Sequence, residues 1–163
     1  MEDAATIEAQ LGRPPRGRAR VAVRCPRGRP AVIEQDAYLA DGEPFPTTYY
    51  LTCRYLVAAV SRLEAAGGVE RWSDATRSDQ ELAASLTAGD EEQRNLRRAL
   101  AGDATGSDGG ASLGYGIGGS RRGGSLKCLH AHVAFALARP GYELGERILD
   151  EVQPRWPEKC CSV

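Results

Sequence analysis

Residues 102–124 hold ten of the chain's 19 glycines, and that window limits every fold the chain can adopt. Glycine loses more backbone freedom on folding than any other residue, so such density reads as loop rather than helix or strand. The loop separates a long, mixed N-terminal part from a short, apolar C-terminal part, and the fold must close over it. Its first half, Gly102 to Ala111, reads as flexible. Its second half runs Gly116, Ile117, Gly118, Gly119, Ser120, Arg121, Arg122 and adds an apolar and two basic side chains. Bare backbone N–H groups can cradle an anion there, helped by the dipole of the helix that follows. The predicted anion-binding set is Gly118, Gly119, Arg121, Arg122 and Lys127. The competing reading is a loop with solubilising arginines. No glycine precedes a Lys-Ser or Lys-Thr pair, and no βαβ unit surrounds the loop, so no nucleotide cofactor motif is present.

The flanks supply the elements. Asp3 to Leu11 reads as a short helix capped by Asp3 and stopped by Gly12. Arg20 to Cys25 alternates Val21 and Val23 on one side, and Ala31 to Gln35 returns as a second strand after Pro26–Pro30. Thr52 is placed to cap a helix with the apolar stripe Leu56, Val57, Val60 and Leu63, ended by Gly67 and Gly68. Ser78 and Glu81 fit a capping box for a further helix, which Gly89 and Asp90 interrupt. This region is mostly polar and predicts a solvent-facing hairpin or arm. Ser125 is placed to cap a helix to about Ala138, with Leu126, Leu129, Val133, Ala136 and Leu137 inward. Leu144 to Val152 predicts a last helix before a cysteine-containing tail, 153–163. The expected architecture is a single compact α+β domain over 1–163: a small β-hairpin element packed against three or four helices. A chain of 163 residues typically buries about 68–70% of its unfolded surface and can hold a core without staples.

Charge and composition exclude more than they identify. The 42% hydrophobic and 26% charged content is that of a globular chain, which removes collagen-like, disordered and coiled-coil classes. No stretch approaches the roughly 20 apolar residues of a membrane helix. Residues 1–10 carry three acids and no apolar run, so no secretory signal is read and the expected compartment is the cytoplasm. The net charge is −1, yet Arg13, Arg16, Arg18, Arg20, Arg24, Arg27 and Arg29 follow one another with no acid between them. Such a row could meet a nucleic acid electrostatically. Aromatic side chains for stacking are not interleaved with it, and Glu34 and Asp36 are at hand to neutralise it.

Chemistry concentrates at Lys127-Cys128-Leu129-His130-Ala131-His132, which holds both histidines of the chain. On a helix, Cys128 and His132 stand at i, i+4 and share a face. Thiolate and imidazole together suit zinc better than an iron–sulfur cluster. Further ligands would come from Cys25, Cys53 and the Cys160–Cys161 pair, none of which has zinc-ribbon spacing. Buried cysteines also serve as small hydrophobes, which is the plain alternative. Cys128 and His130 are in addition the candidate catalytic pair, with Cys128 as a possible thiolate nucleophile near Lys127.

Several segments, in order along nearly the whole chain, resemble the bacterial "domain of unknown function 501" family. They are Leu11 to Gly17, Arg24-Cys25-Pro26 with Gly28 and Pro30, Asp41-Gly42 with Pro44 to Thr47, Tyr50 to Cys53, Ser61-Arg62-Leu63-Glu64, Gly116 to Gly119, and Lys127 to His130. The resemblance implies no substrate. It does imply that the position of Cys53 can carry histidine and that of His132 varies. That makes Cys25, Cys53, Cys128 and His130 the primary ligand set, with His132, Cys160 and Cys161 behind it. The expected function is a cytoplasmic metal-binding Cys/His protein, zinc favoured over an iron–sulfur cluster, of unknown activity, with an enzyme acting on an anionic small molecule as one form of it. The alternatives are an RNA- or nucleotide-binding module on Arg13–Arg29 and a protein-interaction module on the polar helices from Asp79 to Leu100.

Overall fold

The structure, a computed structural model, describes residues 2–158. Among these, six helices and three strands run in the order α1 (Glu2–Leu11), β1 (Ala19–Arg24), β2 (Pro30–Gln35), β3 (Tyr49–Leu51), α2 (Arg54–Ala65), α3 (Gly68–Ser78), α4 (Gln80–Ala101), α5 (Leu129–Ala138) and α6 (Glu143–Asp150). The strands form one antiparallel sheet in the order β1-β2-β3. The expected α+β class is what the chain adopts, with more helices than were counted from sequence.

The sheet follows from its residues. In the β1–β2 hairpin, Arg20 faces Glu34 and Val21 faces Ile33, and the register slips between Val21 and Arg24. β2 is buried at consecutive positions, Pro30 to Ile33, as a central strand covered on both faces must be. Helix α1 packs against β2, and α5 lies against all three strands. α5 is apolar all round and buried from Leu129 through Ala136, apart from His130, so it belongs inside the molecule. α6 packs along it, and Leu144, Ile148 and Leu149 close the core from the far side.

Four local expectations are corrected. Thr52 does not cap α2; the cap position is Cys53, and Thr52 is buried. Asp79, not Ser78, caps α4, its carboxylate accepting from the N–H groups of Glu81 and Leu82. The Ser78 hydroxyl instead donates to carbonyls at the end of α3. Gly89 and Asp90 do not interrupt α4. The helix runs through because a Cβ at Gly89 would come within 2.7 Å of the Tyr142 ring; glycine is there for close packing. Nor is the polar region a solvent-facing arm. Leu82 and Leu86 face the core, and Asp90, Gln93 and Arg97 are buried with them. Their polar atoms are satisfied by distant groups, which makes burial tolerable. Gln93 donates to Thr48 Oγ1 at 2.9 Å, and Arg97 donates to the carbonyls of Ser112 (3.0 Å) and Phe45 (2.8 Å).

These contacts organise the glycine-rich segment. Asp108 accepts from the Tyr38 hydroxyl and from the N–H groups of Gly110 and Ser112. The Ser112 hydroxyl and those N–H groups hold its carboxyl down to about 2. Asp90 accepts from Ile117 N at 2.9 Å. Two 3-10 turns, Ala111–Gly114 and Ile117–Gly119, fill the space between these anchors. No helix among the described residues is long and apolar enough to cross a membrane.

Candidate functional site

The site forms where the start of α5 docks on the last turns of α2. Helix α5 begins three residues after the expected cap, Ser125, would have ended the loop. Cys128 precedes its first turn in extended conformation (φ −155, ψ 153). An isolated helix start leaves its first N–H groups without acceptors. Here the acceptor comes from α2: Glu64 Oε1 lies 2.7 Å from Leu129 N and 3.0 Å from His130 Nδ1. The other ring nitrogen, His130 Nε2, lies 3.2 Å from Ser61 Oγ and 3.2 Å from the Val57 carbonyl oxygen. Val57, Ser61 and Glu64 stand at i, i+4 and i+7, so one face of α2 holds the imidazole at both nitrogens.

Glu64 only accepts, so Nδ1 carries a hydrogen toward it. Nε2 has two neighbours at the same distance: the Ser61 hydroxyl, which donates to the nitrogen when it is bare, and the Val57 carbonyl, which accepts from it when it carries a hydrogen. His130 and Glu64 keep 27% and 26% of their side chains exposed, and Ser61 is exposed. The arrangement is therefore reachable from solvent.

Beside it lies a cleft of about 280 Å³. It is lined by Tyr49, Tyr50 and Leu51 of β3, by Cys128, His130 and Ala131, and by Thr47 and Val57. Its size is at the small end of ligand sites, which run from roughly 300 Å³ upward. Burial pushes the Cys128 thiol up, against the N–H groups of Ala131 and His130 and the charge of Lys127, which favour thiolate. No hydrogen bond among the described residues joins its sulfur to either ring nitrogen of His130.

Of the expected ligand set, Cys128 and His130 meet in this cleft and the others stand elsewhere. Cys25 is 4% exposed at the hairpin turn, where its backbone pairs with Arg29 and Gly28. Cys53 is 3% exposed ahead of α2. His132 does not share a face with Cys128, because Cys128 lies outside the helix. It points into the core, with Nδ1 2.7 Å from the Tyr142 hydroxyl, and burial lowers it to about 3. Cys160 and Cys161 lie outside the described residues. Among those described, no three His, Cys, Asp or Glu side chains gather as a metal site.

Four of the five residues of the predicted anion set line one cavity. Gly119, Arg121, Arg122 and Lys127 line a second cavity, of about 420 Å³, together with Ser120, Ser125 and Leu126. Gly118 faces the thiol instead, its missing Cβ 3.8 Å from Cys128 Sγ. The N-terminal arginines are partly neutralised: Arg16 by Glu43, Arg20 by Glu34 and Asp36, Arg24 by Asp3.

Ser61 and Glu64 are the residues that sequence reasoning passed over. Their i, i+3 spacing on one helix face was visible. What no local pattern shows is that the start of α5 would dock there.

The comparisons agree with the resemblance. A family model described as a protein of unknown function (DUF501) matches residues 21–150, a span that holds the α2 face, the glycine segment and α5. No curated protein and no solved structure matches the chain. The match covers most of the sequence, and the chain belongs to the DUF501 family.

Proposed function

We propose that the protein is an enzyme of hydrolysis or acyl transfer, with Ser61 as nucleophile, His130 as general base and Glu64 as the group that orients the imidazole. The observation that carries this reading is the relay itself: hydroxyl to imidazole at 3.2 Å and imidazole to carboxylate at 3.0 Å. Nucleophile, base and orienter within hydrogen-bond reach are the recurring signature of an activated hydroxyl. Ser61 Oγ attacks the carbonyl carbon of an ester or thioester while its proton passes to His130 Nε2. The Val57 carbonyl gives the new Nε2–H an acceptor, and the same proton then goes to the leaving group. Water, deprotonated by the same nitrogen, releases the acyl group and restores Ser61. The cleft between β3 and α5, which His130 lines and Ser61 does not, would hold the part of the substrate beyond the scissile carbonyl, against Tyr50 and Cys128.

A fluorophosphonate probe with peptide mass spectrometry tests this. The adduct is expected on Ser61 in the wild type and absent in Ser61→Ala. It should form at least about a hundredfold more slowly in His130→Gln, the lower end of what general-base catalysis contributes. Labelling that avoids Ser61, or that proceeds equally in His130→Gln, contradicts the reading.

A second reading is a metal centre begun by Cys128 and His130, supported by a thiol and an imidazole lining one cleft. Such a pair suits zinc. Elemental analysis of the purified protein decides: stoichiometric zinc lost in Cys128→Ser supports it, and no bound metal removes it.

A further inference from the structure

We infer that the cavity of Gly119, Arg121, Arg122 and Lys127 binds the phosphate group of a small phosphorylated substrate whose other end lies in the cleft beside Cys128. The proposal rests on the cleft being the reaction site and names the charged part of what enters it.

Charge supplies the first argument. Arg121, Arg122 and Lys127 are exposed, and no carboxylate lines their cavity. None of the three forms an ion pair among the described residues, and here three such cations line one cavity. Three cations left together without a counter-charge repel one another, and a dianion between them removes that cost. The cavity holds about 420 Å³, which is room for a phosphate and part of what it is attached to. Arg121 is already placed: its guanidinium lies 5.1 Å from the centre of the Tyr115 ring. An arginine held in this way loses less freedom when it meets a phosphate.

Position supplies the second argument. Gly118 and Gly119 have φ of +69° and +76°, where other residues are strained. A Cβ on Gly118 would stand 3.1 Å from Ala131 Cβ and 3.8 Å from Cys128 Sγ. A Cβ on Gly119 would stand 3.0 Å from Pro46 Cβ and 3.9 Å from Lys127 Nζ. Two adjacent glycines thus lay bare backbone against the thiol on one side and the ammonium on the other. Lys127 of the basic cavity and Cys128 of the cleft are neighbours in the chain, so the two lie side by side and a substrate with its phosphate in one extends toward the other.

Calorimetric titration with inorganic phosphate and pyrophosphate tests the inference, on wild type, Ser61→Ala, Lys127→Ala and Arg121→Ala/Arg122→Ala. All the replaced side chains are exposed, and equal thermal melts confirm that the variants fold. Binding is expected in wild type and, unchanged, in Ser61→Ala. It should weaken at least about tenfold in Lys127→Ala and in the double arginine variant, the loss of one charge-assisted bond or more. Bound phosphate should also slow iodoacetamide alkylation of Cys128. No binding heat, binding indifferent to those variants, or an alkylation rate unchanged by phosphate overturns the proposal. So does tight binding of short RNA that free phosphate cannot displace. Because binding is read in Ser61→Ala, the two readings fail separately. Lost Ser61 labelling with phosphate still bound counts against the hydrolase alone, and intact labelling without phosphate binding counts against this inference alone.

Discussion

Replacing Glu64 by alanine removes one carboxylate that serves two partners. Leu129 N–H is fully buried and has Glu64 Oε1, at 2.7 Å, as its acceptor. Leaving such a donor unsatisfied costs about 1–3 kcal/mol. The start of α5 also loses a negative charge beside its dipole, worth about 0.3–1 kcal/mol. The bond to half-exposed His130 is replaceable by water and adds little. The sum is about 1–4 kcal/mol, which in a chain of this size lowers the melting temperature by roughly 3–16 °C. Glu64→Gln keeps an oxygen for Leu129 N and should cost about 1 kcal/mol or less. Urea unfolding followed by circular dichroism measures both. If Glu64→Ala stays within about 0.5 kcal/mol of wild type, as an ordinary surface substitution would, then Glu64 does not hold the start of α5.

Arg97→Met should lower stability by about 1–3 kcal/mol, since it strands the buried carbonyl of Ser112 and the half-buried one of Phe45; hydrogen exchange across 110–116 should speed up, and unchanged protection refutes this. Asp90 is raised by burial above its ordinary 3.8. The folded state therefore binds that proton more tightly, and stability is lost as pH rises through the raised value. Asp90→Asn keeps an acceptor for Ile117 N and should gain on wild type as pH rises above the ordinary 3.8; a pH-independent difference contradicts it. His132 is lowered from 6.5 to about 3 by burial, so its contribution is present above pH 6.5 and lost as pH falls toward 3. His132→Leu should cost about 1–3 kcal/mol at neutral pH by stranding the Tyr142 hydroxyl. Its unfolding curves should converge on wild type as acid is added, and a constant gap refutes the reasoning.

The hairpin was legible because Val21 and Val23 alternate and the Pro26–Pro30 turn leaves the chain few other routes. The last helix was legible because Leu144, Ile148 and Leu149 repeat at helical spacing. The continuity of α4 was not, because the partner that favours Gly89 is Tyr142, far along the chain. Its polar face looked like a solvated arm because the groups that satisfy Gln93 and Arg97 come from Thr48, Phe45 and Ser112. The site divides in the same way. Residue type drew attention to Cys128 and His130, and they do share a cleft. Type alone also joined Cys25, Cys53 and His132 to them; these side chains are buried, and none of them lines that cleft. Glu64 was missed because its role is to cap a helix that begins 65 residues later.

The relay depends on which nitrogen of His130 carries the proton, and a long-range nitrogen–proton correlation spectrum of the imidazole reads that directly. In the neutral ring of the wild type, the hydrogen is expected on Nδ1, with Nε2 bare and facing Ser61. Glu64→Ala should shift the hydrogen toward Nε2, where the Val57 carbonyl accepts it. A wild-type ring already protonated at Nε2, unchanged in Glu64→Ala, would mean that Ser61 has no base and would contradict the account.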